Sequence, residues 1–229
     1  MKDENPLPAQ TQRLASLGFM LASVCHEVSN PLAAVSSMLQ ILQSRRGVTP
    51  ETMEKGLASI AANVARVVAI TKTLGDYSRV GDAPAPLAID DAVEAAAVLL
   101  RQSPCGHGIR LDYRGAPGVS VLARPGELEQ VVFNIFLNAA QAMRGAGSIE
   151  AQSRPSDAQV VLSIRDSGPG IAQEHLARVF EPFFTTKAPG EGTGLGLAIS
   201  YEILHQLGGS IHATNHPQGG ARFDLILPT

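Results

Sequence analysis

One histidine near the N-terminus has neighbours that suit nucleophilic chemistry. Glu27 follows His26 directly, and Asn30 lies one helical turn further along, so it shares a helix face with the histidine. The imidazole is mostly neutral near pH 7, and a carboxylate that accepts the proton of one ring nitrogen raises the nucleophilicity of the other. A lone histidine is more often a packing or surface residue, so its interpretation depends on what accompanies it.

A later helix carries a stripe of amide side chains. Gln130, Asn134, Asn138 and Gln141 recur at spacings of four, four and three. A separate apolar face is predicted to consist of Leu128, Val131, Val132, Ile135, Ala139 and Met143. A stripe of this kind can be a solvated helix face. Carboxamide oxygens are also suitable ligands for Mg²⁺, which keeps phosphate and water oxygens in its remaining positions.

Three further motifs follow in the C-terminal half. DSGPGI places Asp166 at the end of a predicted strand, although an ordinary Asp-Gly turn has the same composition. FEPFFTTK, residues 180–187, holds three phenylalanines, and core packing would explain at least two of them. In GEGTGLGLAIS, glycines alternate before a predicted helix, where backbone amides can cradle phosphates. The spacing differs from a P-loop, and no clear strand precedes it as in a dinucleotide fingerprint.

Two long helices must position the histidine. Apolar residues at spacings of three and four predict a helix over 12–44, interrupted by Pro31, and the same period places His26 on the outer face. Arg45, Arg46 and Gly47 give a basic last turn and a glycine stop. A second helix of about 30 residues begins at Thr49 and Pro50. Each helix exposes more apolar surface than one partner covers, which predicts a dimeric four-helix bundle.

The pattern changes after a Pro/Gly/Ala hinge at 81–87, which we expect to separate a domain at 1–80 from one at 88–229. The period predicts helices at 89–101, 126–144, 173–179 and 194–207, and strands at 109–114, 147–153, 158–165, 209–214 and 221–227. Helices mixed with mostly hairpin-connected strands indicate an α+β fold, with an α/β sandwich whose helices cover one face of the sheet.

Composition excludes several classes. The chain has 229 residues, with 18 Lys and Arg against 21 Asp and Glu, and this balance gives no reason to bind nucleic acid or an anionic membrane. Two cysteines cannot form a disulfide framework, and no segment resembles a signal peptide or an apolar span for direct membrane insertion. We therefore expect a cytoplasmic location.

Taken in this order, the motifs resemble those of bacterial two-component sensor histidine kinases over nearly the whole chain. HEVSNP is similar to the family's phosphoacceptor box, NIFLNAAQA to its N box, DSGPGI to its G1 box, FEPFF to its F box and GTGLGLAIS to its G2 box. The resemblance implies a dimerisation and histidine phosphotransfer domain followed by a Bergerat-type ATP-binding domain. It also implies a homodimer, a response regulator receiver domain as partner, and ATP and Mg²⁺ as cofactors.

The resemblance implies roles for individual residues. His26 would accept the γ-phosphoryl group, Glu27 would be its general base, and Asn30 resembles the group that orients water for dephosphorylation of the regulator. Asn138 would be the main Mg²⁺ ligand, with Asn134 near the phosphates, while Asp166 would receive the adenine amino group. The other implied nucleotide-binding residues are Gly168 and Gly170 beside the adenine, together with Phe180, Lys187, Gly192, Thr193, Gly194, Leu195 and Gly196. Residues 185–193 would form a mobile lid.

The chain also departs from the family. Many members carry Lys or Arg where this chain has Gln141, so the charge near the phosphates would come from Lys187 or Arg144. The lid is short, as in nitrogen-regulation-type kinases. The chain begins about a dozen residues before the bundle, so we expect either an excised core or a signal from a separate upstream sensor protein.

Other classes fit the motifs less well than a kinase does. A non-catalytic phosphotransfer adaptor of the same architecture is the alternative, but such adaptors have usually lost the nucleotide motifs that are intact here. ATPases of the gyrase, chaperone or mismatch-repair type and the serine kinases that regulate sigma factors share the nucleotide fold, yet they give no reason for HEVSNP on an outward helix face. The sequence leaves open whether His26 attacks the ATP of its own subunit or of its dimer mate.

Overall fold

The structure, a computed structural model, describes residues 9–44, 48–78, 83–124, 126–188 and 192–229. The chain divides into two compact units, Met1–Arg79 with Pro182–Leu195, and Val80–Glu181 with Gly196–Thr229. The proposed domain bounds at 80 and 88 stay a prediction. Within the described residues, no helix is both long enough and apolar enough to cross a membrane.

The first unit contains the predicted helical hairpin. Helix α1 spans Ala9–Ser44 and continues through Pro31, and α2 spans Pro50–Ser78. The Thr49 side chain caps α2, because its Oγ1 accepts a hydrogen bond from the Thr52 N–H at 3.1 Å. Both helices are therefore confirmed, whereas the predicted stop at 45–47 lies outside the described residues.

The apolar residues that recur at spacings of three and four along the two helices, the predicted seam of the bundle, are covered only in part within one chain. Five of its residues are between 42% and 55% exposed: Leu32, Leu39, Met53, Leu57 and Val64. Val24 of the seam is buried, and so is Ile70, which the predicted seam did not include. Exposed apolar side chains along one long hairpin are typical of a protein interface.

The second unit is an α/β sandwich. Its elements are β1 Ala85–Ala88, α3 Ile89–Gln102, β2 Gly108–Arg114, β3 Ser120–Ala123, α4 Glu127–Ala142, β4 Ala146–Ser156, β5 Gln159–Asp166, α5 Gly196–Gln206, β6 Ser210–Asn215 and β7 Ala221–Pro228. The main sheet has the order β2-β4-β5-β7-β6, in which β2 and β4 are parallel and the other neighbours antiparallel, while β1 and β3 form a separate antiparallel pair.

The core lies between one face of the main sheet and the helices. Along β5, Val160, Leu162 and Ile164 are buried and alternate with more exposed residues, as a strand with one covered face requires. All six residues predicted for the apolar face of α4 are buried, and these are Leu128, Val131, Val132, Ile135, Ala139 and Met143. The α+β fold class is confirmed.

Two local predictions were wrong. The hinge at 81–87 overlaps a strand, because residues 85–87 pair with β3. The helix predicted at 173–179 is only a single 3₁₀ turn, Gln173–His175, followed by further turns. Successive i to i+3 hydrogen bonds, such as His175 to Ala172 and Arg178 to His175, take the place of α-helical ones.

Candidate functional site

The phosphoacceptor box lies in α1, where its carboxylate is tied to α2. His26 belongs to the helix, but its side chain lies outside the described part of the chain, so the predicted outward orientation stays a prediction. Glu27 Oε2 accepts a 2.6 Å hydrogen bond from an Arg66 Nη, and both side chains are half-buried. Asn30 is exposed on the same helix. Sequence reasoning missed Arg66, since it lies in the second helix.

The amide stripe of α4 meets the start of α5. The Asn134 amino group donates to the Gly196 carbonyl oxygen at 3.0 Å and to Ser200 Oγ at 3.2 Å. A carbonyl can accept only from the amino end of the amide, so the Asn134 oxygen is left as an acceptor or cation ligand. Asn138 is half-buried one turn further along the same face. The structure thus brings the N box and the last glycine of the G2 box together.

Asp166 is a buried carboxylate at the end of β5. It is 5% exposed, and its Oδ1 accepts the N–H groups of Gly168 at 2.8 Å and of Ala221 at 3.2 Å. Among the described residues no donor meets Oδ2. Burial raises the pKa of the Asp166 carboxyl, and the two backbone hydrogen bonds partly oppose the rise. The free oxygen can therefore accept a hydrogen bond from a ligand amino group.

Two glycines that lie against Asp166 have no room for a side chain. A Cβ at Gly168 would lie 2.9 Å from Asp166 Oδ1. Gly220 has a φ of +87°, and a Cβ there would overlap the Asp166 carbonyl oxygen. Only glycine fits at Gly220, for reasons of both space and conformation.

The loop after Asp166 is fastened to β6 by Asn215. Its side chain accepts the Ile171 N–H at 2.8 Å and donates to the Ile171 carbonyl at 2.6 Å. Gly170 has a φ of +78°, and a Cβ there would lie 2.7 Å from Asn215 Oδ1. Sequence reasoning missed Asn215 and Gly220, because their role depends on strand pairing rather than on a local motif.

The F box and the G2 box meet in the segment at 182–195. The Phe183 N–H donates to the Gly194 carbonyl oxygen at 2.9 Å, and both residues have positive φ values, +66° and +67°. A Cβ at Gly194 would overlap the Phe183 carbonyl carbon, so this approach requires glycine. All three phenylalanines are half-buried, so the interpretation of at least two of them as core residues is wrong. The Phe180 ring packs against Tyr201, with 5.8 Å between the ring centroids.

The segment predicted to form the lid, residues 185–193, is described only at its two ends. Residues 189–191 lie outside the described part of the chain. A Cβ at Gly192 would lie 3.1 Å from Lys187 Cδ, so the stem of this lysine runs beside the first G2 glycine. Thr193 Oγ1 accepts the N–H of the buried Leu195 at 3.3 Å. Arg144, the other candidate for phosphate-directed charge, is exposed at the end of α4.

Comparisons with known proteins match both units. Residues 16–83 match the His Kinase A (phospho-acceptor) domain, and residues 123–229 match the histidine kinase-, DNA gyrase B- and HSP90-like ATPase family. The signal transduction histidine-protein kinase AtoS of Escherichia coli K12 is 36% identical over 225 residues, which cover 96% of this chain and 36% of AtoS. The sensor histidine kinase ZraS of Klebsiella oxytoca is 32% identical over 96% of this chain and 48% of its own length.

A solved structure agrees over the same range. Histidine kinase ThkA in complex with the response regulator protein TrrA superposes with a TM-score of 0.68 at 27% identity, covering 96% of this chain and 64% of that chain.

The fold and site define a Bergerat-type ATPase domain joined to a phosphoacceptor hairpin. The chain belongs to the two-component sensor histidine kinases and carries their catalytic core. The resemblance read from the five motifs is thereby confirmed. The chain spans between a quarter and about a half of the length of the curated relatives it matches.

Proposed function

We propose that this chain is an ATP-dependent protein-histidine kinase, which phosphorylates His26 and passes the phosphoryl group to an aspartate of a response regulator receiver domain. The observation that carries the proposal is the presence of a phosphoacceptor domain and an ATPase domain in one chain. No observation favours the alternative of a non-catalytic phosphotransfer adaptor, because this chain retains a segment that matches the ATPase family over residues 123–229.

ATP is the nucleotide that the second unit would hold. Asp166 Oδ2 is available for the adenine amino group, and the glycines around it keep side chains away from that carboxylate. Another relative of this fold, ShkA, was solved in complex with AMPPNP, and it superposes with a TM-score of 0.61 at 28% identity over 91% of this chain. The first turn of α5, which begins at Gly196 beside the Asn134 amide, would lie on the phosphate side.

A magnesium ion would be held by amide oxygens of α4. Asn138 is our proposed ligand, and the orientation of the Asn134 amide leaves its oxygen without a donor from the described residues. Neutral carboxamide oxygens suit a cation that keeps phosphate and water ligands. When bound, Mg²⁺ neutralises charge on the phosphates.

The reaction needs little covalent help from the protein. One ring nitrogen of His26 would attack the γ-phosphorus, and the bond to the β–γ bridging oxygen would break with its electron pair leaving on ADP. The proton on the other ring nitrogen would pass to Glu27. Positioning and charge neutralisation then supply most of the rate.

Partners follow from the hairpin. The exposed apolar seam supports a homodimer, in which a second copy would cover it. The ThkA–TrrA complex supports a receiver domain as the phosphoryl acceptor.

Asn30, exposed on the His26 helix, would orient water when the regulator is dephosphorylated. An upstream sensor domain or protein would supply the signal, and we propose a cytoplasmic location, where ATP is available.

The proposal is tested with ATP labelled in either the γ or the α position. We expect the chain with Mg²⁺ to take up label from γ-labelled ATP alone, and chelation of Mg²⁺ to stop the uptake. Label transferred from α-labelled ATP would indicate nucleotidylation instead. No label from either nucleotide would refute autophosphorylation by this chain.

A further inference from the structure

One ion pair joins the two helices of the hairpin beside the phosphoacceptor. Arg66 of α2 and Glu27 of α1 lie 39 residues apart in sequence and 2.6 Å apart at Nη2 and Oε2. Their side chains are 31% and 24% exposed, respectively. The Lys55–Glu51 pair, in contrast, lies within α2 and is about three-quarters exposed. Solvent screens the Lys55–Glu51 pair strongly, whereas the less exposed Arg66–Glu27 pair can fix a side chain in place.

The Arg66–Glu27 contact uses few of the available groups. The Arg66 Nε–H is buried and has no hydrogen-bond partner among the described residues. Glu27 Oε1 likewise has no donor in the described part of the chain. A two-pronged Arg–carboxylate pair would engage both oxygens of Glu27 and would leave fewer Arg66 donors unpaired. The observed arrangement holds one carboxylate oxygen and leaves the other open.

We propose that Arg66 is a positioning residue, which holds Glu27 through Oε2 so that Oε1 remains the acceptor for the proton leaving His26. The inference rests on the proposed kinase function. As the ring nitrogen forms its bond to phosphorus and ADP leaves with the electron pair, the proton of the other ring nitrogen moves to Oε1. Arg66 touches neither ATP nor the transferred group, and it acts through Glu27.

The proposal predicts that loss of Arg66 slows the chemical step and leaves nucleotide affinity unchanged. A general base contributes about 10²–10⁴-fold to rate, and misplacing it forfeits part of that factor. For Arg66→Gln we expect kcat of autophosphorylation to fall about 10- to 100-fold, with KM for ATP changed less than about twofold. Arg66→Lys keeps the charge and most of the stem, so it should recover part of the rate.

The experiment is a double-mutant cycle in the full chain, with Arg66→Gln, Glu27→Gln and the pair, each measured for initial rate against ATP concentration. If Arg66 acts through Glu27, the double variant should be no more than about twofold slower than Glu27→Gln alone. Lys55→Gln removes one positive charge from the same helix and should leave the rate unchanged. Circular dichroism melting checks that the variants fold.

If the two substitutions lower the rate additively, or if Arg66→Gln changes only KM, the positioning role is overturned. An Arg66→Gln chain with the wild-type rate would overturn it as well. If Arg66→Gln does not fold, the same criterion applies to Arg66→Lys, alone and with Glu27→Gln. Absence of label in the wild-type chain would instead contradict the kinase proposal, so the two failures are distinguishable.

Discussion

Asp166→Asn should separate ligand affinity from stability. The substitution keeps an oxygen that can accept the Gly168 and Ala221 N–H groups, so the local backbone should be retained. It replaces Oδ2 with an amino group, which cannot accept from the adenine amino group. Losing a hydrogen bond to a charged group costs about 1.5–3 kcal/mol, and two opposed donors add to this. We therefore expect ATP affinity to fall at least about 10- to 100-fold.

The same substitution should not destabilise the ligand-free protein. Burial raises the pKa of the Asp166 carboxyl, so ionisation opposes folding, and the stability of the wild type falls as pH rises through that raised pKa. Asparagine carries no charge and escapes this cost. The variant should be at least as stable as the wild type at pH 7, and its relative advantage should disappear near the ordinary carboxyl pKa of 3.8.

Isothermal titration calorimetry with Mg-ATP measures the change in affinity. Urea unfolding at pH 7 and pH 4 measures the change in stability. Asp112→Asn, at an exposed carboxylate of β2, is the matched control and should change neither quantity. A variant that binds ATP as the wild type does would refute the role assigned to Oδ2. A variant destabilised by more than about 1 kcal/mol at pH 7 would refute the electrostatic reasoning.

Three further predictions test other parts of the structure. The Tyr113 hydroxyl donates to Asp90 at 2.5 Å, so Tyr113→Phe should lower the free energy of unfolding in urea by about 1–2 kcal/mol. Burial raises the pKa of Tyr113 to about 12, so the free energy of unfolding of the wild type should fall by about 1 kcal/mol between pH 10 and 12, after allowance for solvent screening. A Phe variant that shows the same fall would contradict this. Gly220→Ala should abolish ATP binding or folding, because its Cβ would overlap the Asp166 backbone, whereas Gly118→Ala, with a similar φ of +82° and open space, should cost only about 1 kcal/mol by thermal melting. Asn30→Ala should slow loss of phosphate from the phosphorylated regulator at least about 10-fold and leave autophosphorylation intact; an unchanged rate would remove Asn30 from that reaction.

Periodic parts of the fold could be predicted from sequence. Helix α4 repeats its apolar residues every three or four positions over 16 residues, and all six predicted core residues are buried. The five longer strands alternate clearly enough to be recognised, whereas β1 and β3 have four residues each, too few to establish a period. The prediction of a helix at 173–179 was wrong because a helix of one or two turns carries a nucleation cost that helical propensity does not offset.

Contacts at the site between residues far apart in the chain could not be predicted from the sequence. The similarity of DSGPGI to the family's G1 box pointed to Asp166, Gly168 and Gly170. Arg66 reaches Glu27 across the hairpin, and Gly220 approaches Asp166 because β5 pairs with β7. Neither contact leaves a local signal, since each depends on the register between two elements.

The central claim is that His26 accepts a phosphoryl group from ATP. The most direct measurement incubates the chain and its His26→Gln variant with γ-labelled ATP and Mg²⁺, and follows the stability of the label in acid and in base. We expect a label that is lost in acid, retained in base and missing from the variant. Equal labelling of the variant, or an acid-stable label, would contradict it.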